Sequence, residues 1–181
     1  AHHEVMRDFT HAQVLLALLR DGFHPESRGG QVRLAGDGSP QLDYPLNEVI
    51  WEAARRALLT MAEIQFAAGA RSVTPVHELA TAYTSWTEAK RAIAALPLQP
   101  LACRVVSAHV LGGCTMADSA QRGVVDQRGR HFWLENLSVH DGSILPTSLG
   151  TNPQLTIYTL AARHAQWLVV ELVARTLPPK P

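Results

Sequence analysis

The chain is expected to fold as an α+β protein: an antiparallel sheet with packed helices, followed by short strands and one long closing helix. Three features predict this. Several windows carry apolar residues at helical spacing, short alternating segments lie between them, and Gly, Pro, Asn and Asp punctuate the junctions. The 181 residues suffice for an unstapled core, and 46% hydrophobic with 18% charged residues is a globular composition.

Taken in order, Ala1-His2-His3-Glu4 reads as the start of a fragment or a trimmed chain. Phe9 to Arg20 has helical spacing and stops at Asp21-Gly22. Gln31 to Leu34 alternates, residues 36–40 (GDGSP) turn the chain, and Leu42 and Tyr44 resume an extended segment, which is a hairpin signal. Asn47 caps a long helix with Val49, Ile50, Ala53, Ala57, Leu58, Met61 and Ile64 on its buried side and Gly69 as the residue just past its end. Val73, Pro75 and Val76 suggest an extended piece. Ser85-Trp86-Thr87-Glu88 is a capping box opening a helix that must end by Pro97.

Arg104-Val105-Val106 reads as a strand, as does Gly123 to Asp126, which is followed by a turn at residues 127–129. Asn136 to His140 reads as a short strand with Leu137 and Val139 inward, broken at Asp141-Gly142. Pro153 to Arg175 is helical, with Leu155, Tyr158, Leu160, Ala161, Leu168, Val169 and Leu172 as its apolar stripe. The tail, residues 178–181, reads as a frayed end.

Composition narrows function. A formal net charge of zero without a long basic run argues against nucleic acid and anionic membranes, and no stretch reaches the roughly 20 apolar residues of a spanning helix. Cys103 and Cys114 are too few for a disulfide framework and leave the compartment open. Nine histidines invite a metal, but no H-x-x-x-H or C-x-x-C spacing supports one, and no metal site is expected. His2 and His3 lie at the terminus, and His11, His24 and His131 have polar neighbours in sequence. G-x-S-x-G, G-x-G-x-x-G and the phosphate-cradling P-loop are all absent.

Two residues stand out. His109 follows a run of small and apolar residues and precedes Leu111-Gly112-Gly113, whose glycines permit close backbone approach to a ligand. A satisfied core histidine is the competing reading, and Cys114 reads as a small buried hydrophobe. Asn152 precedes Pro153, which pre-sets the dihedral of a first helical residue. Either Thr151 or Asn152 could cap that helix, and a capping Asn152 would be less free for a ligand. The helix N-terminus would favour a neighbouring anion.

The ordered motifs H-x-L-G-G-C (residues 109–114), N-L-x-V-x-D-G-S-x-x-P (136–146) and G-x-N-P-x-x-T-I-x-x-L-A (150–161) resemble the C-terminal region of the glucose–methanol–choline (GMC) flavin oxidoreductases. The resemblance is greatest to the cholesterol-oxidase-like branch, where Asn is the partner of the active-site His. D-G-S-P-Q-L-D-Y-P-L and E-I-Q-F-A-A-G-A resemble substrate-domain segments of the same family, so the likeness covers most of Gln31 to Ala162.

The resemblance implies that His109 and Asn152 are catalytic, His109 removing the proton of an alcohol and Asn152 orienting the same oxygen. It implies that Asp141 and Gly142 lie by the flavin diphosphate, and that Asn152, Pro153 and Gln154 approach the flavin's pyrimidine edge. The reaction implied is hydride transfer from a small-molecule alcohol to FAD, with the final helix pointing its N-terminus at the flavin. Residues 1–122 would be the substrate-domain portion and 123–181 the segment returning to the FAD-binding domain. Val110 and Gln154 depart from the family's frequent Pro and aromatic at those places.

Because the dinucleotide-binding half is missing, the isolated chain is expected to bind FAD weakly or not at all, to be inactive, and to self-associate through the interface it exposes. The alternative is a stand-alone binding or assembly module of the same fold.

Overall fold

The computed structural model describes residues 2–176; the expected frayed end at residues 178–181 lies outside them. The chain divides into two compact units, Ala1–Leu19 with Gly29–Val105 and Arg20–Arg28 with Val106–Pro181.

The first unit contains three α-helices and one hairpin among the described residues. Helix α1 (His2–Arg7) opens it, and strands β1 (Gln31–Leu34) and β2 (Pro40–Asp43) form the antiparallel hairpin, Val32 opposite Leu42 and Leu34 opposite Pro40. Helix α2 (Glu48–Ala67) begins where Asn47 accepts the Ile50 N–H at 3.1 Å. It ends in a Schellman closure: Gly69 takes φ +89, its N–H bonds the Phe66 carbonyl, and the Ala70 N–H bonds that of Gln65. Helix α3 (Trp86–Ala95) opens on the expected capping box, with Ser85 Oγ accepting from the Glu88 N–H and Glu88 Oε2 accepting from the Thr84 N–H.

Ala62, Ala89, Ile93, Leu96 and Tyr83 form the core between α2 and α3. Fully burying an Ile such as Ile93 contributes about 1.5–3 kcal/mol. Arg55 Nη1 donates to the Ile93, Ala94 and Leu96 carbonyls at 3.3, 2.8 and 3.0 Å, closing the end of α3 from the side of α2.

Several expectations are corrected. Phe9–Arg20 is not a helix: only a 3-10 turn forms at Phe9–His11, and Ala12 is already extended. Val14, Leu16 and Leu18 stay exposed while Leu19 packs on the Trp51–Ala54–Cys103 cluster, so the stripe lacks the surface that would repay helix nucleation. The antiparallel sheet has only β1 and β2, and both are exposed throughout. Residues 104–106 and 123–126 are not strands: Val105 and Val106 are exposed, and Val125 makes only isolated bridges to Met116 and His131. At 136–140 there is likewise only a bridge, Arg130 to Ser138, and Leu137 faces out. On α2 the expected face is corrected only at Ile64, which is exposed; Ile50 is buried, Val49, Ala53, Ala57, Leu58 and Met61 are half-buried, and Trp51, Ala54 and Ala62 are buried as well.

The second unit is mostly turns around a small core of Val125, Ile144, Leu145 and His164, closed by helix α4 (Gln154–Thr176). The expected stripe of α4 is corrected too. Leu155, Tyr158, Leu168, Val169 and Leu172 are exposed, and the buried or half-buried face runs through Ile157, Leu160, Ala161, His164, Trp167 and Glu171. His164 and Trp167 hold that face because each meets a partner: the His140 ring for one, and His164, Arg128 and Arg163 for the other.

Candidate active site

All the site residues expected from the sequence lie in the second unit. His109 follows the irregular segment 104–108 and is exposed, without a hydrogen-bond partner among the described residues; the core-histidine reading does not hold for it. That reading belongs to His77 in the first unit, which is buried, with Nε2 on the Pro97 carbonyl at 2.8 Å and Nδ1 accepting from the Leu79 N–H at 3.1 Å.

After His109 the chain turns through Gly112 and Gly113, at φ +81 and +82, a pair of left-handed conformations that side chains resist. It then runs beside residues 143–144: the Cys114 N–H bonds the Ser143 carbonyl at 3.1 Å, and the Met116 N–H bonds that of Ile144 at 2.8 Å.

Asp141 caps the 3-10 turn Gly142–Ile144, its Oδ1 accepting from the Ser143 N–H at 2.8 Å and from the Ser143 hydroxyl. These bonds, the hydroxyl's first, pull its carboxyl below the usual carboxylate range. Gly142 is buried, and its N–H meets no acceptor among the described residues. A Cβ on it would stand 3.0 Å from Ile157 Cδ1, 3.0 Å from Leu111 Cδ2 and 3.3 Å from the Val110 carbonyl. Gly142 is thus the point where the segment after His109, the Asp141 turn and the start of α4 meet.

Helix α4 begins one residue later than the sequence suggests. The Pro153 carbonyl accepts the Ile157 N–H at 2.9 Å, which makes Pro153 the flanking residue rather than the first helical one. Pro153 is buried. Asn152 is exposed, and its side chain makes no hydrogen bond among the described residues, so it is not spent on capping. Gln154 is engaged by its own helix, its Nε2 donating to the Tyr158 hydroxyl at 2.7 Å. No hydrogen bond joins His109 to Asn152.

The sequence reading missed the pair His140 and His164, whose Nδ1 atoms stand 3.0 Å apart behind the Asp141 turn. The one available signal was a His and a Trp three residues apart, on one face of the expected helix. The described residues hold no cluster of three or more His, Cys, Asp or Glu able to bind a metal ion, and no helix long and apolar enough to cross a membrane.

The motifs that meet at Gly142 are the ones by which the sequence resembles a flavoenzyme family, and a family model for GMC oxidoreductase matches residues 25–161. The chain belongs to the GMC oxidoreductase family. It is 33% identical over 140 residues to a GMC-type oxidoreductase of Sinorhizobium fredii, covering 76% of this chain and 27% of that protein. It is 30% identical over 163 residues to a long-chain-alcohol oxidase of Arabidopsis thaliana, covering 86% of this chain and 21% of that protein. Over a shorter stretch of 62 residues it is 50% identical to a cholesterol oxidase of Acinetobacter baumannii, covering 34% of this chain and 11% of that protein. The chain therefore spans about a quarter or less of the length of these relatives. No solved structure matches it at a significant level. GMC oxidoreductases generally bind FAD and act on CH–OH groups.

Proposed function

We propose that these residues are the C-terminal portion of an FAD-dependent alcohol oxidoreductase, joining a substrate-domain part to a segment that returns to the flavin domain. The observation that carries the reading is the convergence at Gly142 of three segments whose motifs match one family, with His109 next to Val110 on one of them and Asn152 just before α4 on another, both exposed and unpartnered among the described residues.

FAD, when bound, supplies the hydride acceptor. His109 takes the proton of the substrate hydroxyl as the alcohol carbon gives up its hydride, so that an alcohol becomes a carbonyl compound with one proton on the imidazole. Asn152 donates to the same oxygen and fixes its direction. The residues fit a flavin: the Gly142 N–H is available to a diphosphate oxygen, with Asp141 shaping the turn that presents it. No described side chain caps the first turn of α4, so its free N–H groups, next to Asn152, Pro153 and Gln154, favour negative charge at a flavin ring.

The boundary proposed between the two portions is near residue 122. Without a G-x-G-x-x-G in its 181 residues, the chain alone would bind FAD weakly and turn over no alcohol. The exposed Leu155, Val169, Val170 and Val173 of α4 would then promote self-association.

The test has two arms. Purified chain with and without added FAD should stay colourless after desalting; stoichiometric yellow protein would contradict the expected weak binding. In the gene product carrying any upstream coding sequence, His109→Asn and Asn152→Ala should each lower kcat on a long-chain or sterol alcohol at least about 100-fold, with flavin still bound. Unchanged kcat in both, or a natural start codon near Ala1, would favour the stand-alone module.

A further inference from the structure

The His140–His164 pair has no part in the chemistry above, yet it is the most tightly arranged group of titratable side chains in the second unit. His164 is 2% exposed, and the His140 and His164 rings meet edge-on with Nδ1 facing Nδ1 at 3.0 Å. His140 Nε2 lies 2.8 Å from Ser138 Oγ. The Gln127 backbone carbonyl acts on His164 from the opposite turn; it can only accept, and His164 Nε2 is the ring nitrogen left to serve it.

These contacts fix where protons can sit. With both rings neutral, the Ser138 hydroxyl donates to His140 Nε2, His140 Nδ1–H donates to His164 Nδ1, and His164 Nε2–H faces Gln127. One added proton is accommodated on His140 Nε2, where Ser138 Oγ turns from donor to acceptor. A second has no place, because it would set two N–H donors against each other across 3.0 Å at a His164 ring that is buried.

We infer that His140 and His164 form a proton-limited clamp that ties the Ser138–Gly142 segment to α4 and lets it go when both rings become charged. The surroundings agree in sign. Burial, then the neighbouring His140 and Arg163, disfavour charge on His164, and the Gln127 carbonyl and Asp126 oppose them only in part. Arg163 and Arg128 sit over Trp167, which stacks on His164, and Arg130 is paired with Glu171 one turn further along α4. Gly129 closes the other side: it sits at φ +77, its carbonyl accepts the Val139 N–H, and a Cβ there would stand 3.0 Å from the His140 ring.

Charge on His164 is therefore displaced to lower pH, because it must be added beside His140 across the shared 3.0 Å contact. The clamp does not depend on the role proposed for Asp141 and Gly142, and its test reads backbone and ring protons rather than flavin.

The experiment is imidazole NMR with amide hydrogen exchange on the 181-residue chain between about pH 7.5 and 4.5, spanning the unperturbed histidine pKa of about 6.5. One of the two rings should stay neutral well below that value, and the amides of residues 138–143 should lose at least tenfold protection as it charges, ahead of α4. His164→Gln keeps a donor and an acceptor without the titration and should remove the acid step. Both rings charging together near 6.5 with exchange unchanged would overturn the clamp, as would an identical acid step in His164→Gln. The wild-type arm stands even if that variant folds poorly.

Discussion

Gly142 and Ile157 leave no space between them: a Cβ on Gly142 would stand 3.0 Å from Ile157 Cδ1, with Leu111 Cδ2 equally near. The glycine is needed here for close approach and not for an unusual dihedral, since it is not among the residues at positive φ. Gly142→Ala should therefore cost about 1–3 kcal/mol by overpacking. Ile157→Ala would open that space, so in Gly142→Ala/Ile157→Ala the cost of the alanine at 142 should shrink. Urea denaturation of the two single variants and the double variant checks this, and strictly additive effects would remove Ile157 as the obstacle.

Arg55 offers a second case in which one side chain serves a whole element. Its Nη1 donates to three carbonyls at the end of α3, of which that of Ile93 also accepts the Leu96 N–H. Arg55→Met keeps most of the stem's packing but removes the donor to the Ala94 and Leu96 carbonyls, and should lower the stability of the first unit by about 1–3 kcal/mol. Arg55→Lys should recover only part, because its ammonium is more strongly hydrated and sits on a flexible stem. Thermal unfolding of the three proteins gives the comparison.

The parts of the fold legible in the sequence were those set by local chemistry. Asn47, Ser85-x-x-Glu88 and Gly69 each satisfy backbone groups a few residues away, so their roles follow from sequence neighbours alone, and the structure has all three in place. Apolar spacing was a poorer guide because it names a face without naming what covers it. Phe9–Arg20 had the spacing and found packing only near Leu19, and α4 buries His164 and Trp167 in preference to Leu155 and Val169. The three site motifs were legible because they resemble a family. The His140–His164 contact, 24 residues apart, was not, since it depends on a turn meeting a helix rather than on any spacing.

Asp141 provides a prediction with a definite sign. Its pKa is lowered in the folded chain by the Ser143 hydroxyl and N–H, so the folded state favours the carboxylate. The resulting stability is fully present above the unfolded value of about 3.9 and is lost as pH falls from there through the lower folded value. Asp141→Asn keeps an acceptor for Ser143 and should flatten this acid dependence at little cost near pH 7. Asp141→Ala removes the cap and should cost about 1 kcal/mol at neutral pH. Urea midpoints from about pH 6 to 2 distinguish the three; parallel curves for wild type and Asp141→Asn would show that the carboxylate contributes nothing.

Three substitutions separate residues kept for chemistry from residues kept for folding. His109 and Asn152 are exposed and bond to nothing among the described residues, so His109→Asn and Asn152→Ala should each change stability by no more than about 0.5 kcal/mol. His77 is the internal contrast, because it is buried and both of its ring nitrogens are engaged. His77→Leu strands the Leu79 N–H and the Pro97 carbonyl and should cost about 1–3 kcal/mol. Denaturant titrations of all three measure this. A large loss at position 109 or 152 would mean that those side chains hold the second unit together, and their exposure would then need a structural explanation instead of a catalytic one.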